Sequence, residues 1–351
     1  MAYDRGRVVA DSRAVLAKHA RTFDLAGWFL PAERLDDAAV VYAFCRLVDD
    51  AVDLAQDAAA GDAEVAAIER ELRGDGEARP LVACFGELLD SWGVSRQVAI
   101  DLILGVRSDV GDVEVKNDPE LLRYCYRVAG TVGLMMCGVI GVREKAAFPF
   151  ALDLGIAMQL TNISRDVAED AKIGRVYLPA TRLRAAGTEP TALVRGEAPR
   201  GPISRVVLDL LGMADRYYES ADGGMRFIPW RSRLAIMVAG RVYRAIGVKL
   251  RRAGGDALAG RTVVPALEKA WWVATALGRF AWTLVAPIVR EHDPELHRWI
   301  AGAPGADDGG GEVSSRRGAV PPRPHGSRHR LLRPARLPGH VDRPHRPRGG
   351  R

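Results

Sequence analysis

As far as Gly302, apolar side chains recur every three or four positions. No run of Val, Ile and Thr alternates with polar residues as a half-buried strand would. That regularity leaves helices as almost the whole of the building material. It is punctuated at Pro31, Gly61, Gly74–Pro80, Gly93, Asn117–Pro119, Gly141, Gly187–Pro190, Gly196–Pro202, Gly223–Pro229 and Gly254–Gly260. Breaks so spaced predict roughly eight to ten helices. Asp118, Pro119 and Glu120 read as an N-cap, a proline at the first helical position and a supporting acid. No repeat at a solenoid period and no linker-like stretch intervenes, so residues 1–302 are read as one all-α domain.

One helical stretch departs from its own pattern. The nearly unbroken apolar run Phe148–Met158 is followed by QLTNISRDVAED, Gln159–Asp170. Residues three or four apart share a helix face, so Asn162, Asp166 and Asp170 form one column, with Gln159 and Glu169 beside it. Unpaired acids on a face turned into a core are costly, so the column expects a positive partner. A second acidic pair lies upstream in YAFCRLVDDAVDL, Tyr42–Leu54, where Asp49 and Asp53 are four apart and Arg46 stands one turn earlier. Either motif alone could be an ordinary solvated face, because acids and arginines mostly lie at surfaces. Two such pairs on separate helices can instead face one another across a bundle interior, which is how bundles build metal sites.

Neither motif contains His, and the repeated candidate ligands, Asp and Asn, are all oxygen donors, which favour a hard cation, Mg²⁺ before zinc or iron. Mg²⁺ commonly completes its shell with substrate phosphate. Arg46, Arg165, Lys172 and Arg175 flank the motifs and suit the remaining oxygens of a diphosphate. The chemistry implied is departure of diphosphate with stabilisation of the charge growing on it. In YCYRVAGTVGLMMCGVIGV, Tyr124–Val142, glycines mix with Val, Leu and Met. That composition suits close helix packing and an apolar channel wall equally, with Tyr124 or Tyr126 near a developing carbocation.

The net charge of +6 is carried by the end of the chain. Arg316 to Arg351 holds eleven arginines and one acid, Asp342, a local +10 that leaves −4 on residues 1–315. The body is mildly acidic, so a nucleic-acid role would rest on the tail alone, and none is expected. Residues 303–351 are rich in Pro, Arg and His without apolar period and are read as a disordered tail. MAYDRGRVVADSR has no apolar h-region, so no secretory signal is expected. Cys45, Cys84, Cys125 and Cys137 form no C-x-x-C pair, which fits reduced thiols in a cytoplasmic protein without a zinc site.

Three stretches resemble one known family. CRLVDDAVD (Cys45–Asp53), YCYRVAGTVGLMM (Tyr124–Met136) and AMQLTNISRDVAEDAKIGRVYLP (Ala157–Pro179) are similar to the squalene/phytoene synthase family, and most to its bacterial phytoene-forming branch. The resemblance runs over about residues 12–300. It implies a single-domain isoprenoid-synthase helical bundle around a central cavity, with aspartate motifs facing across its mouth. It implies that Asp49, Asp53, Asn162, Asp166 and Asp170 hold Mg²⁺, or Mn²⁺ in its place, and that Arg46 and Arg165 contact diphosphate. Tyr42 and Tyr124 fall at cavity tyrosines, and with the four aspartates they make the implied catalytic set. HARTF, His19–Phe23, sits where the family has a diphosphate-covering flap, with Ala20 in place of a common serine and Thr22 keeping a hydroxyl nearby. The implied reaction is head-to-head condensation of two geranylgeranyl diphosphates through prephytoene diphosphate, with no NADPH and no obligate protein partner.

Other readings stand beside that one. The metal motifs handle diphosphate and not tail length, so a C30 synthase acting on farnesyl diphosphate fits them too. Met135, Met136 and Met158 are candidates to set the depth of the cavity. A non-catalytic, membrane-associated assembly factor would be free to lose its aspartates, whereas all four are present. KAWWVATALGRFAWTLVAPIVR, Lys269–Arg290, reads as a core helix, since Arg279 in its middle argues against a span. Some exposed aromatic surface there would suit peripheral contact with the inner face of a membrane.

Overall fold

The computed structural model describes residues 3–19, 30–286 and 290–307, with His19 by its backbone only. The helices are α1 (Arg5–His19), α2 (Ala32–Asp53), α3 (Ala58–Arg73), α4 (Pro80–Trp92), α5 (Arg96–Arg107), α6 (Asp118–Cys125) and α7 (Thr131–Ile140). They continue as α8 (Phe148–Arg165), α9 (Val167–Lys172), α10 (Ala180–Ala185), α11 (Pro190–Val194), α12 (Arg200–Gly224), α13 (Trp230–Arg252) and α14 (Ala266–Val285). That is more than the spacing of breaks predicts, mostly because α9, α10 and α11 are short turns of six residues or fewer. A π-helical turn, Tyr126–Gly130, joins α6 to α7. Such turns tend to occur at functional sites.

Local chemistry explains most boundaries. Asp57 accepts from the Ala60 amide at 2.8 Å to start α3, and Gly74 ends it at φ 88°. Gly61, expected as a break, lies inside α3, where its missing Cβ lets the helix settle against Ala51 and Ala55. The cap of α6 is Asn117 and not Asp118. The Asn117 side chain accepts from the Glu120 amide at 3.0 Å, while the Glu120 carboxylate accepts from the Lys116 amide at 2.8 Å.

The bundle is organised around α8, which is apolar on nearly every side because α6, α7, the π turn, α12 and α13 all pack on it. Two glycines set the closest of these approaches. A Cβ on Gly133 would lie 2.2 Å from the Ala151 carbonyl oxygen, and one on Gly155 would lie 2.2 Å from that of Ala129. The helices there meet backbone to backbone. Strand β1, Val113–Glu114, pairs in parallel with β2, Arg175–Val176. This bridge is too short to leave a pattern in sequence, yet it fixes the loop after α5 beside the chain after α9.

Two expectations change. The stretch from Lys269 is not a core helix: in α14 only Ala276 and Thr283 are buried. The contacts of the body also run past residue 302. The Tyr126 hydroxyl lies 3.4 Å from the Pro304 carbonyl oxygen, and Ala306 is buried.

Candidate active site

Tyr42, Cys45 and Asp49 lie on one face of α2 and line a single large cavity. Asp53 ends the helix, so Asp49, Asp50 and Asp53 crowd a C-terminus whose last turn holds no basic residue. A helix C-terminus is the negative end of its dipole, so acids gain nothing there. Cations from elsewhere compensate. Arg46 pairs with Asp50, and Arg175 donates to Asp53 at 3.0 Å.

Gln159 and Asn162 reach the same cavity from α8. The second motif is not one continuous helix, because α8 stops at Arg165 and Asp166 stands between it and α9. The column survives the break. The Asp166 amide still bonds Asn162 O, and the Asp170 amide bonds Asp166 O, both at 2.9 Å. Arg165 Nε donates to Asp166 at 2.7 Å, and Arg261 Nε lies 3.1 Å from the same carboxylate. Asn162 Oδ1 and one carboxylate oxygen of Glu169 are buried with no hydrogen-bond partner.

Asp109, just after α5, belongs to neither motif. It is 8% exposed and accepts from Tyr124 at 2.9 Å and from Tyr177 at 2.8 Å. The two tyrosine rings stack with centroids 4.9 Å apart. Charges on Asp53 and Arg175 both act on Asp109, and its own charge acts on Asp49 and Asp170. It is thus within electrostatic reach of both aspartate motifs. Burial, and then the Asp53 charge, pushes Asp49 up to about 7. Burial, and then Asp166, pushes Asp170 up to about 7. Burial pushes Asp109 up to about 6 against the two tyrosine hydrogen bonds. Tyr124 is driven well above its ordinary value by burial and by Asp109.

Carboxylates forced upward by burial and by one another, beside unpartnered oxygens, make an oxygen-donor set that fits a hard divalent cation. The residues present would hold one. A different cluster brings Asp153, His292 and His297 within 4.8 Å of one another. There His297 faces acceptors with both ring nitrogens: Asp153 at 2.7 Å and the Ala306 carbonyl at 3.1 Å. His292 Nε2 lies 3.0 Å from the other Asp153 oxygen. Hydrogen-bond contacts already join the polar atoms of that cluster to one another and to Ala306.

Below its polar mouth the cavity is apolar and holds about 370 Å³, within the range of small-molecule sites. Val128, Val132 and Met136 form one wall and Leu154 and Met158 another. Both meanings of the glycine-rich stretch are thus realised. Met135 is fully buried in the core and does not line the cavity. Tyr126 turns away and donates to Asp101 at 2.9 Å. Tyr124 meets Asp109 near the aspartates, not along the apolar wall. Tyr243 and Arg261 come to the site from α13 and the loop beyond it. Phe23 and the side chain of His19 lie outside the described residues.

Comparison with known proteins agrees with this geometry. Residues 16–268 match the family model described as squalene/phytoene synthase. The chain belongs to the squalene/phytoene synthase family. Its relatives there include a phytoene synthase of Pseudescherichia vulneris, 37% identical over 72% of this chain and 82% of that one. The 15-cis-phytoene synthase of Pantoea ananas is 34% identical over 81% and 94%. A phytoene synthase of Thermus thermophilus is 40% identical over 73% and 88%. Among solved structures, a dehydrosqualene synthase in complex with ligand has a TM-score of 0.71 at 25% identity, covering 79% of this chain and 98% of its own.

Proposed function

We propose that this protein is a prenyltransferase that joins two geranylgeranyl diphosphates head to head to give phytoene. The observation that carries the reading is the match to curated phytoene synthases over most of the chain. Asp49 and Asn162, one from each motif, at the polar end of an apolar cavity support it. Mg²⁺ held by Asp49, Asp53, Asn162, Asp166 and Asp170, with Mn²⁺ as a substitute, would supply positive charge to the departing diphosphate.

The chain's own cations serve the same leaving group. Arg46, Arg165, Arg175 and Arg261 stand among the aspartates and would exchange their carboxylate partners for diphosphate oxygens. The allylic cation left behind would lie against a largely apolar wall of Val, Leu and Met that excludes water. The double bond of the second substrate would attack it to form the cyclopropyl diphosphate. A second ionisation, rearrangement and proton loss would then give the hydrocarbon without a reductant. Tyr42 and Tyr124, at the polar end, would orient the substrate head and the Asp109 carboxylate.

The test is a product assay with Mg²⁺ and no NADPH, offering geranylgeranyl and farnesyl diphosphate separately. A C40 hydrocarbon from the C20 substrate is expected, and none from Asp166→Asn with unchanged helix content. Product from the C15 substrate alone would move the protein to the C30 branch. No hydrocarbon from either substrate would overturn the reading.

A further inference from the structure

Helix α14 is inverted relative to an ordinary surface helix. Two of its charged residues pair with neighbouring helices, Glu268 3.5 Å from Lys249 and Arg279 2.8 Å from Asp222, and Lys269 is half-buried. Its outward face carries Leu267, Trp271, Leu277, Trp282 and Val285, with Leu267 87%, Trp282 65% and Val285 84% exposed. The positions between them on that face are Ala and Gly, and none is charged. An apolar stripe of this width normally faces a core. The helix that passes for a membrane span by length and composition among the described residues is Lys145–Arg165, which is the buried centre of the bundle. α14 is therefore suited to lie on a bilayer and not to cross one.

Two features select a bilayer over a second copy of the chain. Exposed Arg231, stacked on Trp230, and exposed Arg252 stand at opposite ends of the neighbouring α13, and neither pairs with an acid among the described residues. They frame the stripe with positive charge, as anionic headgroups require. An apolar groove of about 320 Å³ also runs from Phe280 of α14 past Trp230 and Leu234 to Leu30, and Leu30 lines the large cavity as well. We propose that the outward face of α14 docks on an anionic lipid surface and that this groove delivers the apolar product into it. The delivery step rests on the function proposed above; the docking does not.

Flotation of the purified full-length chain with phosphatidylcholine–phosphatidylglycerol vesicles tests the proposal. The wild type is expected to float, and to float less with phosphatidylcholine alone or at high salt. Trp271→Glu/Leu277→Glu should lower the vesicle-bound fraction about tenfold or more, and Trp282→Glu alone should lower it in the same direction. Both variants should keep the wild-type melting curve and turnover in detergent. A wild type that stays with the soluble fraction overturns the docking, as does equal flotation of wild type and variants. So does a wild-type dimer that ignores vesicles and is split by these substitutions. Asp49→Asn should still float. Flotation without hydrocarbon formation therefore counts against the proposed reaction alone, and hydrocarbon formation without flotation against the docking alone.

Discussion

Asp109 shows how far a single residue can be from where sequence reasoning looks. The aspartates at 49, 53, 166 and 170 are legible because each pair repeats at helical spacing, which leaves a local signature. Asp109, Tyr243 and Arg261 arrive from separate segments and share no spacing, and Tyr177, although it stands in the Ala157–Pro179 stretch, lies outside its polar column. Only the fold brings them to the site, and the Asp166 column itself persists through a helix break that its sequence does not announce. Asp109 also carries a prediction. Its carboxyl is held up at about 6 by burial, so as an anion it destabilises the fold above that pH. Asp109→Asn should leave stability at pH 8 unchanged or raise it by up to about 1–3 kcal/mol. The same change weakens the hydrogen bonds that hold Tyr124 and Tyr177, which to a charged acceptor are worth about 1.5–3 kcal/mol each. Turnover should therefore fall about ten- to a hundredfold. Melting curves and kcat on one preparation decide it, and a loss of both stability and activity would mark Asp109 as merely structural.

At the scale of elements, the crossing of α8 with α7 and the π turn is the contact that shapes the cavity wall. Gly155 meets the Ala129 carbonyl so closely that no Cβ fits, and backbone is the obstacle, not a movable side chain. Gly155→Ala should cost at least about 1–3 kcal/mol as the helices are forced apart. Because Ala129, Val128 and Val132 line the cavity, the same shift should raise KM for the substrate. Gly212, where a Cβ would meet nothing within 4 Å, provides the control, and Gly212→Ala should be neutral or slightly stabilising. Urea melts of the two variants would separate them; equal stability would mean that the crossing is compliant. The helices themselves are readable from apolar period. Their depth is not, since the period of α14 reveals an apolar face without saying whether protein or solvent lies against it.

The described body of the molecule is closed by residues 290–307, and this closure titrates. Arg290 donates to the Glu219 carbonyl at 2.7 Å and Tyr217 to that of Leu296 at 2.7 Å, while Asp153, in the first half of α8, holds His292 and His297. His292 in turn meets the edge of Phe150, which lines the cavity. The sequence could not show this, because Asp153 looks like one polar position in an apolar helix and its partners lie some 140 residues away. Burial draws His297 down, but Asp153 outweighs it and holds the imidazole above its ordinary 6.5. Burial likewise pushes Asp153 up, and the two histidines bring it below 3.8. Asp307 also faces His297, and Tyr217 faces Asp153. The histidine's contribution is full below its unfolded value and is lost as pH rises through its folded one. The aspartate's is present above its unfolded value and is lost as pH falls through its folded one. The closure is therefore complete between about pH 4 and 6.5 and weakens on the alkaline side. His297→Gln leaves a buried carboxylate short of its charged partner and should cost about 3–5 kcal/mol at pH 6. Asp153→Asn/His297→Gln should recover part of that loss, since no unpaired charge then remains. Melting temperatures from pH 5 to 9 should slope downward more steeply in the wild type than in the double variant, and parallel slopes would mean that His297 is not the group that titrates.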